Sequence, residues 1–259
     1  MPDANKKYFQ IASLEKGIKV LELLADKQEL TVTKVAEHLG LNRAGSHRFL
    51  ATLRELGYVE KSADSRYRLT FKILELGMKL ANRFEIRQVA RPFMQELHAI
   101  FNETVNLAYW DGSIVVHLDK IESQELLRID LAIGSRAPVY CTGLGKSILA
   151  FLPEEEREAV LKRVKLVRFT ENTITRRAKL NEELAKIRKT GVAFDREEVV
   201  VGLRCVASPV FDYTGLPRYA MSIAGPATRM TDDVMRRMQK EVKRICFSLS
   251  KYLGGLGEG

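Results

Sequence analysis

The chain has 259 residues, 46% of them hydrophobic, enough for one large core or two modest ones. It carries a formal charge of +9, and the first 90 residues hold 16 basic and 11 acidic side chains, so positive charge is densest in the first third. Three widely spaced cysteines without a Cys-x-x-Cys pair exclude a disulfide framework and imply a reducing cytoplasm; the polar N-terminus lacks a signal core, and no apolar run approaches the roughly 18 residues that cross a bilayer.

Ser13 to Leu24 is expected to be helical, with Ser13 as N-cap and Leu14, Ile18, Leu21 and Leu24 on one face. The stretch TVTKVAEHLGLNRAGSHRFLATLRELG then reads as two short amphipathic helices, Thr31 to Leu39 and Asn42 to Leu56. Val32, Val35, Ala36 and Leu39 share a face of the first, and Phe49, Leu50, Leu53 and Leu56 a face of the second. Gly40 suits a left-handed residue after the first helix, and Asn42 suits an N-cap. Such a pair is a helix-turn-helix or a plain αα-hairpin. The second helix turns Arg43, Ala44, Ser46, His47 and Arg48 toward the groove side, where donors reach base edges and phosphates and Ala44 meets a thymine methyl. Strands follow at Tyr58 to Glu60 and Arg66 to Leu69, around a turn at Lys61 to Ser65, as in the wing of a winged helix. Residues 42–72 hold seven Lys or Arg and three acids, the footprint of a duplex binder, with Arg66 and Arg68 on the wing.

Phe71 to Ala90 reads as one long helix, with Ile73, Leu76, Leu80 and Phe84 compatible with a single face; it is a lever between domains or a spacer. Pro92 fits the first turn of a new helix ending near Phe101. Strand patterns follow: Thr104 to Trp110 and Ser113 to Leu118 form a hairpin about a type I′ Asp111-Gly112 turn, and Leu126 to Leu131 is a further strand. Helices are expected at Pro153 to Val164 and at Lys179 to Thr190, the latter ended by Gly191. A second hairpin spans Cys205 to Phe211 and Tyr219 to Ala224, and a closing helix runs from Thr231, its N-cap, to Leu253. Hairpins interleaved with helices make an α+β fold with a mainly antiparallel sheet. The expected domains are 8–72, a winged helix-turn-helix DNA-binding domain; 73–90, a linker helix; and 91–255, an effector-binding domain.

The segment YCTGLGKS imitates the end of a phosphate-binding loop, but Tyr140 stands where that loop needs glycine. Thr142, Gly143 and Gly145 instead allow close backbone approach at a helix start, where Lys146 assists an anion or is solvated. Cys141 and Cys205 lack a nearby His in sequence and read as packing residues before nucleophiles; His98 and His117 are isolated, and nothing has metal-ligand spacing. Asp195-Arg196-Glu197-Glu198 is a charged turn or a carboxylate at a pocket mouth, with Arg204 as a candidate partner.

The segments SLEKGIKVLELLA, HRFLATLRELGYVE, RYRL, APVYCTGLGKSILA, GVAFDREEVVVGLRCVASPVFD and AMSIAGPATRMTDD, in this order and spacing, resemble the IclR family of bacterial transcription regulators over residues 10 to 255. The resemblance implies a GAF-like C-terminal domain, a homodimer or homotetramer, a cytoplasmic location and double-stranded DNA as partner, bound at a pseudo-palindromic operator. It implies no cofactor, no enzyme activity and no membrane partner, and control, as a repressor, of a metabolic operon by a small organic effector, an organic acid or aromatic. By alignment to the family motif, effector-lining residues are Leu126 and Ile129 on a strand, Ala137, Gly143 and Leu144 before the CTGLGKS helix, Asp195, Cys205 and Ser222. Ala224 stands where the family often has a second serine, and Arg43-Ala44-Gly45 departs from its usual recognition-helix start. The readings held against it are a thiol-dependent enzyme and a non-specific nucleic-acid binder.

Overall fold

A computed structural model describes residues 11–81, 86–128 and 130–255, which divide into two compact units on either side of Phe84 and Glu85. In the first unit, α1 (Ala12–Lys27), β1 (Glu29–Thr31), α2 (Val32–Leu39), α3 (Arg43–Glu55), β2 (Val59–Lys61), β3 (Arg66–Leu69) and α4 (Phe71–Ala81) follow in order. The sheet order is β1-β3-β2, antiparallel throughout. Val20, Leu24, Val35, Leu50, Leu53, Val59 and Tyr67 form its core. The helix-turn-helix is as expected: Gly40 is left-handed (φ 60°), Thr31 caps α2, and the Asn42 side chain accepts a 2.6 Å hydrogen bond from the Gly45 amide.

Four details differ here, the first at Leu56, expected on the core face of the second helix, which instead follows that helix as its C-cap and is 52% exposed. Ser13 is not a cap, because the first intrahelical bond already runs from the Glu15 amide to the Ile11 carbonyl and Ser13 sits inside the first turn. The core face of α1 is Val20 and Leu24, while Leu14 and Ile18 are 60% and 48% exposed. β1, absent from the sequence reading, pairs with β3 (Leu30 opposite Tyr67) and makes the wing's sheet three-stranded.

The second unit runs α5 (Ile86–Phe101), β4 (Thr104–Trp110), β5 (Val115–Ile121), β6 (Arg136–Ala137), α6 (Gly143–Phe151), α7 (Glu154–Arg163), α8 (Arg177–Thr190), β7 (Ala193–Arg196), β8 (Leu203–Val210), β9 (Tyr219–Pro226) and α9 (Asp232–Tyr252). Its six strands form one antiparallel sheet, order β6-β5-β4-β9-β8-β7. Side chains alternate between faces, so α6 packs with α8 on the face of Ala108, Trp110, Ala207, Ala220 and Ala224. α5 and α9 pack against the sheet's other face, with Met235, Met238, Val242, Ile245 and Leu249 of α9 buried as expected.

The single helix expected over Phe71 to Ala90 meets residues 82–85, Phe84 among them, which lie outside the described residues, as does the side chain of Leu80; α4 is described to Ala81 and α5 from Ile86. Pro92 lies inside α5 and does not start it. Buried Ile86, Ala90, Met94 and Leu97 hold the opposite face of that helix, and Pro92 is on the exposed side, where the missing amide and the ring meet solvent. The β4–β5 connection is a four-residue loop, Asp111 to Ile114, in place of a two-residue turn, because the Asp111 carboxylate caps the amides of Ser113 and Ile114. Leu126 to Leu131 contains no strand among its described residues: β5 pairs with β4 and β6, and the segment is instead tied by Lys120 to Asp130, by Arg128 to Glu122 and by Arg229 to the Leu127 carbonyl.

Candidate functional site

On the first unit, α3 exposes Arg43, Ala44, His47 and Arg48 on one side of its first two turns. Ser46 is different: it is fully buried, and its hydroxyl has no hydrogen-bond partner, so it belongs to the interior and not to the exposed face. Gly45 has a local cause. A Cβ there would lie 2.9 Å from Asn42 Oδ1, the atom that caps the helix. The short cap and the glycine are one device, which fixes where the exposed donors begin.

The wing arginines are half exposed, and each is already paired. Arg66 Nε lies 2.8 Å from Asp64, whose carboxylate also accepts from the Ser62 hydroxyl. Arg68 donates to Glu60 at 2.6 Å and reaches Glu29 of β1 at 3.4 Å. These pairs hold both guanidinium groups on the sheet surface.

In the second unit, strand register arranges a grid on the α6 face. Thr104, Ala224, Cys205 and Asp195 form one row; Lys120, Asn106, Ser222, Ala207 and Ala193 the next; His117, Ala108 and Ala220 a third. Trp110, beyond them, donates its indole N–H to Glu156 of α7. Over the grid sits the first turn of α6, capped by Thr142. A Cβ on Gly143 would lie 2.9 Å from Cys205 Sγ, and one on Gly145 would lie 2.5 Å from the Val139 carbonyl oxygen. Two glycines therefore let the helix start lie directly on the sheet and on the loop before it.

The structure thus brings together Gly143, Leu144, Asp195, Cys205 and Ser222, all buried, with Ala137 on β6 at the margin of the same face. Gly143 and Leu144 belong to α6 itself and not to the loop before it. Leu126 is not among them: it is 99% exposed outside any strand, and the polar ties of its segment leave it in solvent. Ile129 lies outside the described residues.

Lys146 is neither solvated nor open to an anion. It has no exposed surface and is paired with Glu198. Arg204 does not partner Asp195; it binds Glu197 and Asp232 at the edge. Asp195 Oδ1 accepts instead from the Glu198 amide at 2.8 Å. Burial pushes the Asp195 carboxyl up to about 6 and raises Glu198, against the lowering influence of Lys146. Burial also pushes Cys141, Cys205 and Cys246 up to about 12, so none is a thiolate at neutral pH. The sequence reading missed Asn106 and the buried role of Lys146 and Glu198, and it took His117 only as an isolated histidine. Asn106 was visible as the one amide in TVNLAYW, a strand otherwise built for burial.

Among the described residues no three His, Cys, Asp or Glu side chains are grouped to hold a metal ion, and no helix is long and apolar enough to cross a membrane.

Comparison with known proteins gives a consistent result. Residues 13–63 match the IclR helix-turn-helix domain, and residues 78–251 match the bacterial transcriptional regulator IclR C-terminal domain. The chain is 32% identical over 256 residues to the HTH-type transcriptional regulator KdgR of Escherichia coli, covering 98% of this chain and 96% of that one. It is 31% identical over 251 residues to the transcriptional repressor IclR of Escherichia coli, covering 95% and 92%. The crystal structure of Thermotoga maritima IclR superimposes with a TM-score of 0.80 at 33% identity, covering 95% of this chain and all of that one. With both halves matched in order along almost its whole length, the chain belongs to the IclR family of bacterial transcriptional regulators.

Proposed function

We propose that this DNA-binding regulator is a homodimeric repressor of a metabolic operon, released or engaged by a small organic effector. In this reading residues 8–72 read DNA, 73–90 join the two functions, and 91–255 bind the effector. The observation that carries it is the exposed set Arg43, Ala44, His47 and Arg48 at the capped start of α3, beside a basic wing. Arg43, His47 and Arg48 address base edges and phosphates of a major groove, Ala44 a thymine methyl, and Arg66 and Arg68 the flanking backbone. The exposed stripe made by Ile11, which precedes α1, and by Leu14 and Ile18 on it supports pairing with a second copy, and two-fold pairing calls for a pseudo-palindromic operator. Asp195, Cys205, Ser222 and the start of α6 are the effector-facing set. The raised thiols support a role without thiol catalysis, and the reading includes a cytoplasmic location with no membrane partner.

The test is selection of genomic fragments by the purified chain at about 150 mM salt, where non-specific binding is weak, followed by footprinting. A pseudo-palindromic site ahead of a metabolic operon is expected, and Arg48→Ala should weaken binding there by about 1–3 kcal/mol. Equal affinity for the selected site and a random duplex would overturn the reading in favour of a non-specific binder.

A further inference from the structure

Asn106 lies between Ser222 on β9 and Lys120 on β5, 1% exposed, and neither its Oδ1 nor its Nδ2 has a hydrogen-bond partner within the protein. A buried amide without partners is costly, and a β-branched residue would serve strand β4 better. One row away His117 is also buried with an unpartnered Nδ1; desolvation pushes its pKa down to about 4, so the ring is neutral. Ala108, Ala207, Ala220 and Ala224 around them supply little bulk and no side-chain polar group. The cations of this face are held by the protein's own acids, Lys120 by Glu122 and Asp130 and Lys146 by Glu198. A ligand on this face therefore meets an amide that donates and accepts, a neutral imidazole, the buried and likewise unpartnered Ser222 hydroxyl, and the Asp195 carboxylate. The smallest ligand group that satisfies a donor and an acceptor together is a hydroxyl.

We propose that Asn106 is a specificity-determining residue of the effector site and takes a hydroxyl of the effector, which makes the effector a hydroxylated small organic molecule. This rests on the reading of the α6 face as the effector site. Asn106 then belongs to the group of side chains whose cost in the free protein is recovered on binding.

The test compares wild type, Asn106→Leu and Asp195→Asn as full chains by thermal denaturation. Three probe pairs matched in carbon number are used: glycerate with propionate, threonate with butyrate, gluconate with hexanoate. Without probe, Asn106→Leu should melt about 2–4 °C above wild type, because it removes an unpaired buried amide while keeping the same branching and the same number of side-chain heavy atoms. At least one hydroxylated probe should raise the melting temperature of wild type more than its deoxygenated partner does, and Asn106→Leu should lose that difference. An Asn106→Leu chain that melts at or below wild type overturns the proposal, since the amide is then part of the fold. So does a wild type that answers to none of the hydroxylated probes. Asp195→Asn keeps volume and the oxygen that accepts from Glu198, and it separates the two readings. A hydroxyl-dependent shift lost in Asp195→Asn but kept in Asn106→Leu removes the role of Asn106 and leaves the site. A shift kept in both variants means binding elsewhere, and the effector-site reading falls as well.

Discussion

Lys146 enters the interior from the first turn of α6, and its charge is met there by Glu198, which follows β7. Taking both ions out of water is expensive, and the attraction between them offsets that cost only while both are present. Lys146→Met alone leaves Glu198 buried without its cation and should cost about 3–5 kcal/mol in urea unfolding. Lys146→Met combined with Glu198→Gln should recover most of that loss; a double variant as unstable as the single would mean that the pair is not the source. Asp195 adds a pH signature. Its folded pKa of about 6 stands above its ordinary 3.8, so the fold favours the protonated acid. That contribution is complete below the unfolded value and is lost as pH rises through about 6. Wild type should therefore lose up to about 3 kcal/mol from this group between pH 4 and pH 8. Asp195→Asn should flatten that part of the profile, and an unchanged slope would show that other groups govern it.

At the scale of elements, the wing presents its arginines already paired. If Arg68 binds phosphate it must leave Glu60 and Glu29, and Glu60 itself repels the duplex. Glu60→Gln should strengthen binding to operator and to random duplex alike. Arg68→Ala should weaken both and lower the slope of log affinity against log salt by about one. A change confined to the operator would place Arg68 in base readout instead. Elements that carry local chemistry were legible in sequence: Gly40 and Asn42 bound the turn between α2 and α3, Gly191 ends α8, and Thr231 starts α9. Those settled by long-range pairing were not. β1 has three residues and is a strand only because β3 lies beside it, and β7 reads as a charged turn until Asp195 pairs with Cys205. The run after β5 has the composition of a strand, yet charged neighbours tie its described residues down outside the sheet. The candidate site was legible where motif glycines and Asp195 marked it. Lys146 misled because sequence assigns a lysine to solvent, and only the fold places Glu198 against it.

At the scale of the whole molecule, each unit has its own buried core, so a ligand in the second unit acts on DNA binding by the first only through its preference among states of the entire chain. An effector that binds free and DNA-bound protein equally shifts nothing, however tight it is. Linkage fixes the arithmetic: the factor by which saturating effector changes operator affinity must equal the factor by which operator changes effector affinity. For a regulator of this type the factor is expected to be about 5–150-fold, or about 1–3 kcal/mol. Operator titrations followed by anisotropy, with and without effector, give one side of the equality; calorimetric titration of effector into free and operator-bound protein gives the other. Asn106→Leu should move the two factors together toward unity, because a ligand held less specifically in the second unit has less free energy with which to choose between states. A variant that abolished effector discrimination while leaving the operator response intact would separate binding from control, and the α6 face would then be a site whose occupancy the DNA-binding unit does not read.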